Sequence, residues 1–573
     1  MREQRSLLQV AASTLVGVVV TMAGCTVGPD YRAPSPQVPE QWHQSATEGL
    51  QAGAADVQRW WGVFEDEQLS GLIERAVEGN LDLRLAVLRI REARALRGVA
   101  AGELLPSLGG DGSYSRSKGS ANGPTATPQS PGRFETFGNT VARGIAGNVV
   151  GTGLGTAVPG IPAVTNSVAT GLVGMIPTPS SGRDTDEINL HAAGFDASWE
   201  IDVFGGIRRN IESADAVLEA TVEDYRGTLV TLVAEVAATY IEIRTLQSEI
   251  ESIERNIALQ KETLSLTEAR LALQLAKELD VQQAVTNLAT TESYLPQLES
   301  GLSMSMYRLG VLLGQEPRAL CDELSPTAPI PAPPTEVFVG VPADILRQRP
   351  DIRSAERRLA AQTAQIGVAA SELYPRFTLS GTFGFEATDA AHLLDARSVS
   401  YRFGPSVRWN IFDGLRNLNR IAAQEAVTHQ CYVFYERTVL TALQEVENSL
   451  VAYKREQARR DALVRAVEAA DRSVKLAEAL YRNDLVDFQN VLDAQRSLAS
   501  LESTLAQSRG QVAVNLVSLY KALGGGWSPD VTPQEEYLED ELDALHRPVD
   551  FFFSGGTTSL PWDRVSEDGG EAR

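Results

Sequence analysis

The sequence predicts an α+β membrane protein built from a unit that occurs twice, each copy a pair of alternating strands followed by a very long helical hairpin. Three observations carry this fold class. GVAAGELLP at 98–106 recurs as GVAASELYP at 367–375, and WEIDVFGG ending at Gly206 recurs as WNIFDG ending at Gly414. Polar and apolar residues alternate through segments of about nine residues beside each copy, the length of a tilted strand across a bilayer. No proline lies between Pro405 and Pro529, and no glycine between Gly414 and Gly510. Repetition on this scale makes the copy, rather than the 573-residue chain, the unit to be explained.

The strands come first. Phe195, Ala197, Trp199, Ile201 and Val203 alternate with Asp196, Ser198, Glu200 and Asp202. Phe377, Leu379, Phe383 and Phe385 alternate with Arg376, Thr378, Ser380, Thr382 and Glu386, and Phe403, Val407, Trp409 and Ile411 with Arg402, Ser406, Arg408 and Asn410. A fourth, glycine-rich strand is expected around Leu108 to Arg116. A half-buried soluble sheet shows the same alternation, so the strands alone leave both settings open.

The helices narrow the choice. A run free of proline and glycine from Leu415 to Asn483 is one helix of about 69 residues, roughly 100 Å at 1.5 Å per residue, and Ile207 to about Gln274 repeats it, with a return limb to Pro296 or beyond. Antiparallel hairpins of this length bury their apolar seams on neighbours that one chain does not supply. Four strands in lipid likewise leave unpaired edges, which the bilayer forbids. Two chains would give eight strands and three would give twelve, so the physics requires a symmetric homo-oligomer without fixing its number.

Composition sets the setting. With 51 Lys and Arg against 74 Asp and Glu, the net charge is -23, which argues against nucleic acid as a partner. Residues 1–24 read as a signal peptide: Arg2 and Arg5, an apolar run from Leu7 to Met22, then Ala23-Gly24 before Cys25. Small residues before a cysteine resemble a bacterial lipobox, with Cys25 the acylated first residue; the alternative is a plain signal peptide. Several acyl chains would anchor it stably to membrane lipid. Cys321 and Cys431 have no metal or redox spacing and read as small buried residues, with a disulfide left open. The chain has no phosphate-binding loop, no glycine-framed nucleophilic serine and no cluster of its five histidines, and GTGLG at 151–155 lacks the strand and helix of a dinucleotide site. An enzyme is not expected, nor a cofactor or metal.

CTVGPDYRAP at 25–34, WWGVFEDEQLSGLIERAVEGNLDL at 60–83, PADILRQRPDI at 342–352, VLDAQRSL at 491–498 and LYKALGGGW at 519–527 resemble the TolC-like outer-membrane efflux factors, in particular the OprM/NodT-like lipoprotein branch, over nearly the whole chain. The resemblance implies a homotrimer with a twelve-stranded outer-membrane barrel continuous with a long periplasmic helical tunnel. It implies the exit duct of a tripartite efflux pump, passively conducting small molecules, with a periplasmic adaptor and an inner-membrane transporter of the RND type as partners. Thr26 after Cys25 is associated with outer-membrane sorting in this family. The same fold serves type I protein secretion, the alternative function; a periplasmic scaffold lipoprotein of coiled coils is a third reading.

The resemblance places the gate at the helical turns, TEARLALQLAKELDVQQAVTNL at 267–288 and AEALYRNDLVDFQNVLDAQRSL at 477–498. Asp493 matches the inward acidic position, where symmetry makes a ring of carboxylates that favours cations; Tyr481, Gln489 and Asp280 are the other gate candidates. Gln274, Leu275, Ala276, Asp484, Leu485 and Val486 form the tips expected to meet the adaptor. Gln274 and Asp484 stand where the family has glycine, which suggests a dedicated adaptor with a complementary tip.

The expected organisation is a signal peptide at 1–24, a first copy at 25–324, a Pro-rich linker at 325–341, a second copy at 342–527 and an acidic tail at 528–573. Strands are expected at about 105–117, 189–204, 376–387 and 400–412, and helical hairpins at about 207–316 and 415–521. From Pro106 to Trp199 is 93 positions, against 34 from Pro375 to Trp409, so the first copy carries 59 more residues. They fall in a loop at about 118–188 expected on the outer side, either a tolerated surface loop or a lid over the barrel mouth.

Overall fold

The computed structural model describes residues 26–118 and 187–528, except 37, 40, 44–49, 53–57, 335–336, 340–341 and 344–347. The signal peptide, Cys25, the inserted loop from 119 to 186 and the tail beyond Ser528 lie outside the described residues. The chain divides into two compact units: Met1–Asp30, Gly98–Glu212 and Thr363–Glu425 form one, and Tyr31–Arg97, Ser213–Gln362 and Ala426–Arg573 the other.

In chain order the elements are β1 (Leu50–Ala52), a 3-10 turn at Trp60–Phe64, α1 (Glu67–Gly79), α2 (Leu81–Gly102), β2 (Ser107–Ser117), β3 (Ile188–Ile201) and α3 (Gly206–Ala272). They continue with α4 (Glu278–Glu292), α5 (Leu295–Leu312), α6 (Cys321–Leu324), β4 (Val337–Val339), α7 (Pro350–Ser371) and β5 (Arg376–Ala387). Two further 3-10 turns precede β6 (Val399–Arg408), and α8 (Arg416–Arg482) and α9 (Phe488–Ala522) follow. At 67 residues each, α3 and α8 match the expected long helices.

The first unit is a four-stranded antiparallel sheet in the order β2-β3-β5-β6. Its register puts the alternation to use. Phe195 faces Phe383, which faces Tyr401; Trp199 faces Leu379; Ile201 faces Phe377, which faces Val407. Asp196 faces Thr382, which faces Arg402, and Ser198 faces Ser380. Because side chains alternate with period two, the face of Phe195, Phe383 and Phe403 is apolar and the face of Asp196, Thr382 and Arg402 polar, except where β2 meets the start of β3: there Arg116, Asn189 and His191 fall on the first face and Ile188 and Leu190 on the second. The apolar face is uncovered, with Phe403 79% and Tyr401 71% exposed. Both β2 and β6 are edges, each paired to one strand among the described residues.

β3 and β6 end earlier than the alternation suggested, at Ile201 and Arg408, so Val203, Trp409 and Ile411 lie beyond their strands. The cause is helix capping. Asp202 accepts hydrogen bonds from the Ile207 and Arg208 amides (3.2 and 3.0 Å), and Asp413 from the Asn417 amide (2.8 Å), which commits the chain to turn. The two tryptophans take the same part in both copies: the Trp199 indole donates to the Leu104 carbonyl at 2.8 Å and the Trp409 indole to the Leu373 carbonyl at 3.0 Å.

The second unit holds the large apolar core. Trp60 stacks on Tyr520 with ring centroids 5.5 Å apart, surrounded by Leu69, Ile73, Val233, Tyr240, Leu309 and Leu516. Buried Arg244 donates to the Pro326 carbonyl (2.9 Å), and Gln247 beside it to the Leu324 carbonyl (2.7 Å), pinning the start of the linker. Part of that linker pairs as β4 in parallel with β1. The first return limb does not stop at Pro296: it breaks at Ser293 and Tyr294 and resumes as α5, with Pro296 in its first turn, where a missing amide costs nothing. The second return limb, α9, is unbroken. Cys321 and Cys431 are both half-buried free thiols.

Candidate functional site at the helical turns

Each long helix ends in the same way. The Gln274 amide donates to the Leu271 carbonyl and the Leu275 amide to the Arg270 carbonyl, both at 2.8 Å; the Asp484 and Leu485 amides donate to the Tyr481 and Leu480 carbonyls at 3.1 and 2.9 Å. This paired pattern is a Schellman cap, whose first residue beyond the helix is left-handed. Gln274 and Asp484 adopt that conformation, with φ of 61° and 57°. Both residues therefore hold a backbone conformation that glycine adopts without strain, at a cost of about 1–2 kcal/mol each for an ordinary side chain and less for Asp.

The turns present apolar knobs. Leu275 is 58% and Leu485 69% exposed, while Ala276 and Val486 are half-buried. Val486 packs on a small cluster of Tyr481, Phe488, Val491, Leu492 and Ala284.

The gate candidates separate into two groups. Asp493 and Gln489 sit together on the exposed start of α9, where the Gln489 amide donates to an Asp493 carboxylate oxygen at 2.9 Å. Asp280 is half-buried and its carboxylate accepts from the Lys277 amide at 2.9 Å, capping α4. Tyr481 does not join the exposed pair. It is buried, its ring 5.3 Å from Phe488 on one side and 4.7 Å from the Arg270 guanidinium on another. Burial pushes its phenol above the ordinary range, Arg270 pulls it down, and Asp280 pushes it up.

Arg270 was not singled out in the sequence, although a cation in the last turn of a helix is a recognisable signal. Besides stacking on Tyr481, it donates to the Arg482 carbonyl at 3.3 Å and pairs with the Asp484 carboxylate. Above it runs a polar seam: Asn256, Gln260, Thr263, Thr267 and Arg270 are all buried at coiled-coil spacing. Gln495 donates to Thr263 at 2.7 Å, Asn256 to Glu502 at 2.6 Å, and Arg496 to Asn287 at 2.9 Å. The end of the hairpins is thus joined by specific hydrogen bonds where the other end of the unit is joined by apolar burial.

Comparison with known proteins decides the family. The outer membrane efflux protein family matches residues 163–315 and 341–525, more than half of the chain. The chain belongs to the outer membrane efflux protein family. This efflux protein is similar to nodulation protein T of Rhizobium leguminosarum bv. trifolii, 29% identical over 89% of this chain and 96% of that one. It is similar to the cation efflux system protein CusC of Escherichia coli O157:H7, 27% identical over 89% and 97% of the two chains. Its fold matches the solved outer-membrane channel OprN at a TM-score of 0.72, with 33% identity, covering 88% of this chain and all of that one. The efflux protein is an outer-membrane exit duct and not an enzyme, and the secretion-channel alternative is not favoured.

Proposed function

We propose that three copies of the efflux protein close a twelve-stranded barrel in the outer membrane above a helical tunnel in the periplasm, with the internal repeat giving six near-equivalent units around one axis. The observation that carries this is the four-stranded sheet: an uncovered apolar face running through Phe195, Phe383, Tyr401 and Phe403, with two edges among the described residues, is unstable in water and complete only in lipid as part of a closed barrel. The turns are the periplasmic gate, with Asp493 and Gln489 of three chains forming the ring at its mouth and Asp280 and Tyr481 supporting it. The knobs at Leu275 and Leu485, with Gln274, Ala276, Asp484 and Val486, meet a periplasmic adaptor that couples the duct to an inner-membrane transporter of the RND type. Small molecules are the cargo; transporter and adaptor select it.

Cys25 is the lipid anchor in this reading. Its support is the segment after it: the Val27 amide donates to the Phe204 carbonyl just past the end of β3 (3.1 Å), and Arg209 donates to the Val27 carbonyl (3.2 Å). An acyl chain two residues earlier would enter the membrane beside the barrel's own rim. Heat-modifiable trimers in outer-membrane fractions that form single channels in planar bilayers are the expected result, and monomers without conductance would reject the reading. Cys25→Ser is expected to lose acylation and keep the trimer.

A further inference from the structure

We propose that β6 of one copy pairs antiparallel with β2 of the next in the register that sets Arg408 opposite Asp111, so that an ion pair on the lumen face marks each joint between chains; this rests on the closed barrel proposed above. The two halves of the chain supply the register. Ser107 pairs with Ser198 in the first hairpin as Arg376 pairs with Arg408 in the second, and Leu108 with Ala197 as Phe377 with Val407. The indole contacts obey the same correspondence, Trp199 with Leu104 as Trp409 with Leu373. β2 therefore maps onto β5 and β3 onto β6, residue for residue and without a slip. Within the chain the halves are joined by β3 and β5. When near-equivalent units circle one axis, the joint between chains is this joint carried forward, with β6 in the place of β3 and the next copy's β2 in that of β5. Ser198 opposite Ser380 then becomes Arg408 opposite Asp111 of the next copy, and Asp196 opposite Thr382 becomes Ser406 opposite Ser113.

The charges at the two edges fit this joint. On the face shared with Asp196 and Arg402, Asp111 is the only charged residue of β2, and Arg402 and Arg408 are the only ones of β6. Inside one chain each meets its own sign. Arg408 lies opposite Arg376, and Asp111, opposite Gly194, lies diagonally beside Asp196. Like charges so placed disfavour the sheet. Arg376 has carboxylates of its own in Glu372 and Glu200. Arg408 and Asp111 are exposed, and neither forms an ion pair with a described residue. The joint brings the two signs together. A slip of two residues, the smallest that keeps every side chain on its face, would set Arg408 opposite Ser113 or Gly109 and leave both charges unmet.

The test uses the full-length chain in outer-membrane fractions, with Cys321→Ser and Cys431→Ser throughout so that introduced thiols alone join chains. Ser113→Cys with Ser406→Cys, treated with an oxidant, is expected to give covalent trimers on a non-reducing gel. Ser115→Cys with Ser406→Cys, and Ser113→Cys with Gly404→Cys, report a slip in either direction and are expected to stay unlinked. A link in a slipped pair instead, or no link in any pair among chains that still form heat-modifiable trimers, overturns the register. Charge reversal tests the ion pair. Arg408→Asp and Asp111→Arg each remove a like-charge contact within the chain and create one at the joint, so each is expected to lower the temperature at which trimers dissociate. The double variant regains the native temperature or exceeds it. A double variant no better than the weaker single one overturns the pair, even where the Ser113 and Ser406 positions link. Failure of the barrel itself reads differently: the unsubstituted chain then gives no heat-modifiable trimer, whereas a slipped link within trimers rejects the register and keeps the barrel.

Discussion

Gly28 and Gly367 touch through their backbones: a β-carbon on Gly28 would stand 2.4 Å from the Gly367 Cα, and one on Gly367 would stand 2.9 Å from the Val27 carbonyl oxygen and 2.7 Å from the Arg209 side chain. Gly28 also has φ of 93°, which only glycine adopts easily. The segment after Cys25 is thus seated by the absence of two side chains. Gly367→Ala, a substitution that elsewhere in a helix would be favourable, is expected to cost about 1–3 kcal/mol through overpacking. Limited trypsin digestion should then cut after exposed Arg32 faster than in the native protein. Equal cleavage rates would mean that the segment is seated some other way.

Trp60 and Tyr520 join the start of the second unit's core to its last helix, their rings nearly parallel at 11° and both buried. Trp60→Ala removes a fully buried ring and is expected to cost about 3–5 kcal/mol, while Trp60→Phe keeps part of the stack and costs less. Thermal unfolding of the detergent-solubilised trimer, compared among the three proteins, checks the order.

Glu249 is buried on α3, where it accepts hydrogen bonds from Ser503 at 3.2 Å and Gln507 at 3.1 Å. Burial pushes its carboxyl above the ordinary value of 4.5, against the lowering effect of Gln507 and Ser503. A raised folded value means that the protonated form is favoured by folding. Its stabilisation is complete below 4.5 and is lost as pH rises through the folded value, so this group lowers stability on going from acid toward neutral pH. Glu249→Gln keeps both hydrogen bonds through its amide oxygen and abolishes the titration. Its melting temperature should exceed that of the native protein at neutral pH and converge with it in acid; a constant difference at all pH values would reject the assignment.

What the sequence made legible follows the range of the forces involved. Alternation over nine residues reports which face each strand buries, and Phe195, Phe383 and Phe403 fell on one face as read. Strand ends depend on single capping contacts, so Asp413 cut β6 short of Trp409 and Ile411. The long helices were plain because no proline interrupts either one and Gly227 is the single glycine inside α3, whereas Pro296 proved compatible with helix once it sat in a first turn. Tyr481 was recognisable as a residue of the turns but its burial was not, because what covers it is Arg270 from a helix more than two hundred positions earlier. The short β1 and β4 pair has the same non-local origin, three residues on each side with no pattern of their own.

The two faces of the sheet predict opposite responses to a charge. Phe403 and Thr382 lie on adjacent strands but on opposite sides, Phe403 facing Gly381 in register and Thr382 facing Arg402. Phe403→Arg puts a cation on the face assigned to lipid, which near the bilayer midplane costs about 2–4 kcal/mol in membrane barrels. Fewer heat-modifiable trimers should then be recovered from the outer membrane. Thr382→Lys adds the same charge on the face assigned to the lumen, between Asp196 and Arg402, where water solvates it. Its trimer yield should match that of the native protein while the channel's preference for cations falls, read as a shift in reversal potential under a salt gradient. Normal assembly of Phe403→Arg together with loss of assembly in Thr382→Lys would reverse the inside and outside of the barrel.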